Sequence, residues 1–137
     1  MRKDAKLELL RQVPLFAGCT KKELGEISTL ADELSLPAGA KLIEEGRQGH
    51  EFFLLVDGTV EVSAKGRESL TLGPGAFFGE MALVSQRPRN ATVTATSPVS
   101  VLVVHESGFR RLLRDSPEIQ LKVLQTLADR AAENALH

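Results

Sequence analysis

The residues best suited to chemistry stand together in one segment, Phe77-Phe78-Gly79-Glu80-Met81-Ala82-Leu83-Val84, followed by Ser85-Gln86-Arg87-Pro88-Arg89-Asn90-Ala91-Thr92-Val93. Gly79 permits close backbone approach, and the free N–H groups that open a short helical turn after it point outward together. Those donors, with the dipole of the turn, favour a bound phosphate. Arg89 can supply the opposing charge through a bidentate guanidinium contact, and Pro88 stiffens the loop that presents it. Glu80 beside such a pocket would repel an anion unless it had its own task. An ionised carboxylate only accepts hydrogen bonds, so its natural partner is a sugar hydroxyl. Phosphate donors, one cation and one hydroxyl acceptor in a single segment describe a ribose phosphate.

Blander readings stand beside this one. Gly79 is also what a plain turn requires, and Glu80 with Arg89 would also serve as an internal ion pair closing the loop without ligand. Elsewhere the chemistry is thin. His50, His105 and His137 are far apart and form no pair with metal-ligand spacing, so no metal is expected and all three read as surface or loop histidines. Cys19 follows Gly18 just before a helix, a position that can lower a thiol pKa, although an inert structural thiol is the plainer reading. No Ser or Cys sits in a nucleophile elbow, so no enzyme is expected. Arg110, Arg111 and Arg114 read as a solvated helix face.

The surrounding elements follow from periodicity and turn chemistry. Leu7, Leu10 and Val13 recur at helical spacing until Pro14 ends the run. Thr20 and Glu23 make a capping box ahead of an apolar stripe of Leu24, Ile27, Leu30, Ala31 and Leu34, expected on one helix of about three to four turns. Short strands follow at Lys41 to Ile43, Phe52 to Val56, Thr59 to Val62, Ser69 to Leu72, Ala91 to Ala95 and Val99 to Val104. Asp57-Gly58 predicts a hairpin that joins two of them into a ribbon. Helix returns from Glu106 to Arg114 and again behind Ser116-Pro117-Glu118, where Ile119, Val123, Leu127, Ala131 and Ala135 share a face.

With 137 residues the chain fits one domain, and its net charge of -1 lacks the basic excess that direct nucleic-acid binding requires. Aromatics make up only 4%, without Trp or Tyr, which also argues against base-stacking platforms. One cysteine excludes an internal disulfide. The charged start does not read as a signal peptide, and no stretch approaches the roughly 18 apolar residues of a membrane span, so no membrane contact and a cytoplasmic setting are expected.

The segment Gly79 to Ala91 resembles the phosphate-binding cassette of cyclic nucleotide-binding domains, the family of cAMP-dependent kinase regulatory subunits and bacterial catabolite activator proteins. Its Gly-Glu, Ala-Leu and Pro-Arg pairs have the spacing of the kinase regulatory domains, and Gly39, Gly46 and Gly58 fall where that family's roll turns. The resemblance implies an α+β, mainly β fold: an eight-stranded antiparallel β-roll (a double-stranded β-helix, or jelly roll) with N-terminal and C-terminal helices. It implies one domain over 1–137, with helices in 1–33, the roll in 34–104, the cassette at 78–92 and helices in 105–137. The implied ligand-binding set is Phe78, Gly79, Glu80, Met81, Ala82, Leu83, Arg89, Asn90, Ala91 and Thr92, with Val62 and Leu70 lining the base. Glu80 would accept from the ribose 2′-hydroxyl, Arg89 would pair with the cyclic phosphate, and N–H groups around Glu80 to Ala82 and at Ala91 would complete the shell.

Asn90 departs from the Ala, Ser or Thr usual there, a position that helps set base preference in relatives. The expected ligand is cAMP ahead of cGMP, bound by a regulatory sensor whose cassette and C-terminal helices order around it and signal to an effector protein or domain. The base-capping residue of the last helix is not fixed by the sequence; Leu121, Val123 and Leu124 are available. A monomer or weak homodimer is expected. The rival is an interaction or structural domain of the same fold that binds no nucleotide.

Overall fold

A computed structural model describes residues 2–83 and 87–135; the side chains of Glu80, Met81, Arg130, Ala131 and 133–135 fall outside that description. The chain forms two compact units, one from the segment up to Leu30 together with the chain from Gly108 onward, the other Ala31–Ser107.

In the helical unit, α1 spans Lys3–Arg11 and buries Leu7 and Leu10. A 3-10 turn at Pro14–Phe16 follows, then α2 at Lys21–Ser28. The capping box forms as its residue types dictate: the Glu23 N–H donates to Thr20 Oγ1 at 3.2 Å, and the Thr20 N–H donates to Glu23 Oε1 at 2.8 Å. Phe16 packs on Phe109, with ring centroids 5.7 Å apart. The last two helices, α3 at Glu106–Asp115 and α4 at Pro117–Ala135, start and stop within a residue or two of their sequence signals. In α4, Ile119 and Val123 are buried and Leu127 is half-buried; Ala131 and Ala135 of the expected stripe lie outside the described side chains.

The second helix is shorter than the apolar stripe predicts. Ser28 Oγ donates to the Gly25 carbonyl and Thr29 Oγ1 to that of Glu26, bonds that satisfy the last turn from within. Leu30, Ala31 and Leu34 are therefore not on the helix. Strand β1 occupies Ala31–Leu36 instead, paired residue by residue with β8 from Ala31↔Val104 to Leu36↔Val99. Tertiary pairing with an almost continuous run of Val and Leu overrides a locally helical period. The first strand thus opens at Ala31, inside the 1–33 segment expected to be helical.

The remaining strands are β2 (Lys41–Ile43), β3 (Glu51–Asp57), β4 (Val60–Ser63), β5 (Leu70–Leu72), β6 (Phe77–Phe78), β7 (Thr92–Ala95) and β8 (Val99–His105). They form two antiparallel four-stranded sheets, ordered β1-β8-β3-β6 and β2-β7-β4-β5. The fold is a mainly β roll with flanking helices. Ile43, Phe53, Leu55, Val60, Phe78, Val93, Ala95, Val99, Val101 and Val103 form its core. Each of these larger apolar side chains contributes on the order of 1.5–3 kcal/mol through burial. The alternate residues Phe52, Leu54, Leu102 and Val104 are also buried, so the central strands β3 and β8 are apolar on both faces.

Asp57-Gly58 does not make the expected ribbon. It carries the chain from β3 in one sheet to β4 in the other. The turn packs against the β7–β8 turn: the Thr59 N–H donates to Ser97 Oγ at 3.0 Å, the Thr96 N–H to the Thr59 carbonyl at 3.0 Å, and the two threonine hydroxyls meet at 2.7 Å. Those cross-turn bonds join residues far apart in sequence and are absent from any local reading.

Candidate functional site

Strand β6 sits at the edge of its sheet, with Phe78 opposite Phe53 and buried. The chain then turns at Gly79, whose φ of 78° favours glycine, and enters a 3-10 turn at Glu80–Leu83. The Ala82 N–H donates to the Gly79 carbonyl at 3.0 Å, and the buried Ala82 and Leu83 anchor the turn from below. The sequence-predicted strand-to-turn transition is therefore in place. Val84, Ser85 and Gln86 lie outside the described residues, as do the side chains of Glu80 and Met81. The ribose-hydroxyl role expected of Glu80, and its ion pair with Arg89, fall in that undescribed part.

Arg89 is held on the other side of the segment. Its N–H donates to the Arg47 carbonyl at 2.8 Å, and its own carbonyl accepts from the Gly46 N–H at 2.8 Å. A bridge between Gln48 and Pro88 extends this short ladder. The Arg89 side chain is only 8% exposed. Its Nη2 donates to the Glu51 carbonyl at 2.6 Å and lies 3.8 Å from Glu51 Oε2. The guanidinium rests on two glycines: a Cβ added at Gly49 would come within 1.8 Å of Nε, and one at Gly79 within 2.3 Å of Nη1. Burial lowers the Arg89 pKa, and the Glu51 carboxylate opposes that shift. The group stays charged, since arginine does not deprotonate in proteins. A buried cation demands an anion. Glu51 answers only loosely, because its carboxylate is 37% exposed and beyond hydrogen-bond reach.

The other expected residues divide by position. Asn90 is exposed and Ala91 half-buried next to Arg89. Thr92 Oγ1 accepts from the Glu45 N–H at 3.0 Å, so this hydroxyl holds the β2–β3 loop. Val62 and Leu70 are register partners in β4 and β5, and they end a row that crosses the whole sheet as Ile43–Val93–Val62–Leu70. Exposure rises along it, from 3% at Val93 to 57% at Leu70. Directly opposed residues share a face, so the row is one apolar surface that opens to solvent at Leu70.

Sequence reasoning missed Gly49 and Glu51, whose contacts with Arg89 come from a segment 38 residues away. Their only local sign is the glycine before the apolar β3 run. It also read His50 as a plain loop histidine. The ring is exposed, but its Nδ1 lies 2.9 Å from Glu106 Oε2. Cys19 is half-buried, and burial, with Glu23 adding and Lys122 opposing, pushes its thiol pKa up, the reverse of activation. Arg110, Arg111 and Arg114 are exposed on α3. Among the described residues, no three His, Cys, Asp or Glu side chains are grouped to hold a metal, and no helix is long and apolar enough to cross a membrane.

Known proteins agree with this geometry. The family model described as the cyclic nucleotide-binding domain matches residues 33–116. A cyclic nucleotide-gated potassium channel of Mesorhizobium japonicum is 43% identical over 82% of the chain and 31% of its own length. A cAMP-dependent protein kinase regulatory subunit of Debaryomyces hansenii is 37% identical over 93% of the chain and 28% of its own length. The chain thus spans about a third of these relatives. Among solved structures, the N-terminal domain of a transcriptional regulator from Streptomyces coelicolor superposes with a TM-score of 0.82 at 30% identity, covering 92% of this chain and 94% of its own. A cyclic nucleotide-binding-like protein from Brucella abortus gives 0.74 at 33% identity over 81% of this chain and 99% of its own. The family model over residues 33–116, with relatives 43% and 37% identical across most of this chain, shows that it belongs to the cyclic nucleotide-binding domain family.

Proposed function

We propose that the chain is a regulatory sensor that binds a cyclic nucleotide, cAMP ahead of cGMP, and performs no covalent chemistry. The observation that carries this is Arg89, a buried guanidinium laid across Gly49 and Gly79, the glycine that opens the 3-10 turn. That arrangement suits a single phosphate charge. Arg89 pairs with the cyclic phosphate, backbone N–H groups at Glu80 to Ala82 and at Ala91 complete its shell, and Glu80 accepts from the ribose 2′-hydroxyl. Phe78, Gly79 and Leu83 shape the turn, and Thr92 fixes the loop beside it. Val62 and Leu70 carry the base on the open end of the apolar row, with Asn90 at its edge. The base-capping residue stays open among Leu121, Val123 and Leu124, of which Leu121 and Leu124 are exposed and Val123 is buried.

The kinase regulatory subunits and channels among the relatives support a switch, in which ligand orders the cassette and the C-terminal helices and an effector protein or domain reads the change. Such a switch requires the ligand to favour one helix arrangement over another. The reading includes a cytoplasmic setting, a monomer or weak homodimer, and no direct contact with nucleic acid or membrane. Calorimetric titration of nucleotide-stripped protein tests it. Micromolar or tighter binding of cAMP, weaker for cGMP, is expected, with Arg89→Ala costing about 2–5 kcal/mol as one partner of a buried charged pair. One observation favours a ligand-free domain of the same fold: Arg89 already has the Glu51 carbonyl as an acceptor. Flat titrations with both nucleotides would establish that rival.

A further inference from the structure

We propose that the Glu51 side chain is the resident counter-ion of the phosphate cradle: it steadies the empty site and holds nucleotide affinity below what Arg89 would deliver without it. The inference rests on the reading of Arg89 as the phosphate ligand and adds a residue that tunes that site. Glu51 meets the arginine in two separate ways. Its main-chain carbonyl accepts from Nη2 at 2.6 Å, a hydrogen bond that fixes where the guanidinium lies. Its carboxylate oxygen Oε2 stands 3.8 Å from the same nitrogen, outside hydrogen-bond reach. Position therefore comes from the backbone, and the side chain adds charge.

The two groups differ in burial. The Arg89 side chain is 8% exposed and that of Glu51 is 37% exposed. An enclosed cation is stabilised by a nearby anion, and among the described residues the carboxylate paired with Arg89 is that of Glu51. Its attraction opposes the fall that burial imposes on the Arg89 pKa. The contact is long, however, and the carboxylate reaches water, so it can move aside without giving up a hydrogen bond to the guanidinium. A cyclic phosphate arriving at Arg89 meets a carboxylate of its own sign within one Debye length. Binding therefore exchanges one anion for another, and the ligand gains less by whatever Glu51 contributed to the empty cradle. Two effects of opposite sign follow. Deleting the charge weakens the ligand-free fold and strengthens binding, whereas loss of a purely structural contact would weaken both. The phosphate is common to both purine cyclic nucleotides, so the gain is the same for each.

Glu51→Gln keeps the carbonyl and the length of the side chain and deletes the charge. Glu51→Ala keeps the carbonyl too, and it excludes a new amide contact with the phosphate as the cause of any gain. Calorimetric titration with cAMP and cGMP, beside thermal melts without ligand, reads both signs. Each variant should bind each nucleotide roughly twofold to fivefold more tightly than the unmodified protein, the range of a partly exposed ion pair. The ratio of the two affinities should not change. The ligand-free Tm of Glu51→Gln should fall by about 1–3 °C. Glu61→Gln controls for net charge: this exposed carboxylate lies on β4 opposite Thr71 and Thr94, and its loss should leave affinity where it was. Unchanged or weaker affinity in Glu51→Ala, a ligand-free Tm that holds or rises in Glu51→Gln, or an equal gain in Glu61→Gln overturns the proposal while leaving the nucleotide reading intact. Failure of both nucleotides to bind the unmodified protein and both Glu51 variants overturns both.

Discussion

Replacing Gly49 with alanine separates the cradle from the fold. Gly49 has no positive φ, so alanine strains nothing in its backbone. The new methyl would lie 1.8 Å from Arg89 Nε, 2.1 Å from Cζ and 2.5 Å from Nη2. Three overlaps of that size cannot be relieved by a few tenths of an ångström. The guanidinium must leave, and as the far end of a flexible side chain it can swing toward water. The fold then loses the charge-assisted bond to the Glu51 carbonyl, about 1.5–3 kcal/mol at most, and regains part of it by hydrating a formerly buried cation. Net destabilisation should be about 1–2 kcal/mol, which lowers Tm by several degrees for a domain of this size. Binding loses the phosphate partner altogether. The expected cost matches that of Arg89→Ala, about 2–5 kcal/mol, or roughly thirtyfold to several thousandfold in Kd. Calorimetry and thermal melts on Gly49→Ala, Arg89→Ala and the double variant form the assay. The double variant should bind no more weakly than Arg89→Ala alone, because both act through one group. Gly39→Ala is the control: φ is 90° there with open space around it, so it should cost stability without touching affinity. Full affinity in Gly49→Ala, or additive losses in the double variant, would refute the argument.

Leu70→Ala removes a side chain that is 57% exposed at the open end of the apolar row, so Tm should hardly move while affinity falls by about 1 kcal/mol, roughly fivefold, in the same titration. In the helical unit, the Lys122 hydrogen bond and then the Thr20 N–H hold the Glu23 carboxyl below its ordinary pKa, against its burial. A depressed carboxylate contributes stability above its ordinary value, near pH 4.5, and loses it as pH falls through the lower folded value. Urea unfolding of Glu23→Gln across that acid window should therefore lack one step that the unmodified protein has. Its Oε2, buried without a hydrogen-bond partner among the described residues, predicts that Lys122→Ala lowers Tm by leaving the carboxylate with less compensation.

What could be read in the sequence was whatever is decided locally. Pro14, the Thr20–Glu23 box and Ser116-Pro117 mark helix ends by chemistry acting within four residues, and those marks hold in the structure. Gly79 and the turn after it are equally local. Pairing is not. Leu30, Ala31 and Leu34 have helical spacing, and only the presence of β8 makes Ala31–Leu36 a strand. Asp57-Gly58 is a turn as its residues demand, but it crosses between sheets, beside Ser97 and Thr96, instead of closing a ribbon. The cradle followed the same rule. Arg89 was visible because of its neighbours in sequence, whereas Gly49 and Glu51 meet it from a distant segment with no motif to announce them.

The ladder that holds Arg89 joins residues 46–48 to 88–89, and the guanidinium bonds to a carbonyl 38 residues away. The Arg89 cradle therefore cannot assemble from neighbouring residues alone. The intervening chain must first cross between sheets at Asp57-Gly58 and return through β6, so closure of the cradle carries a loop-entropy cost and belongs to the late steps of folding. A peptide spanning only the cassette would keep the local turn after Gly79 but lose the partners of Arg89, which come from residues 46–51. Affinity thus reports the state of the whole roll: anything that frays β3 or β7 removes the site together with the strand, and ligand bound to the intact cradle stabilises the fold by mass action.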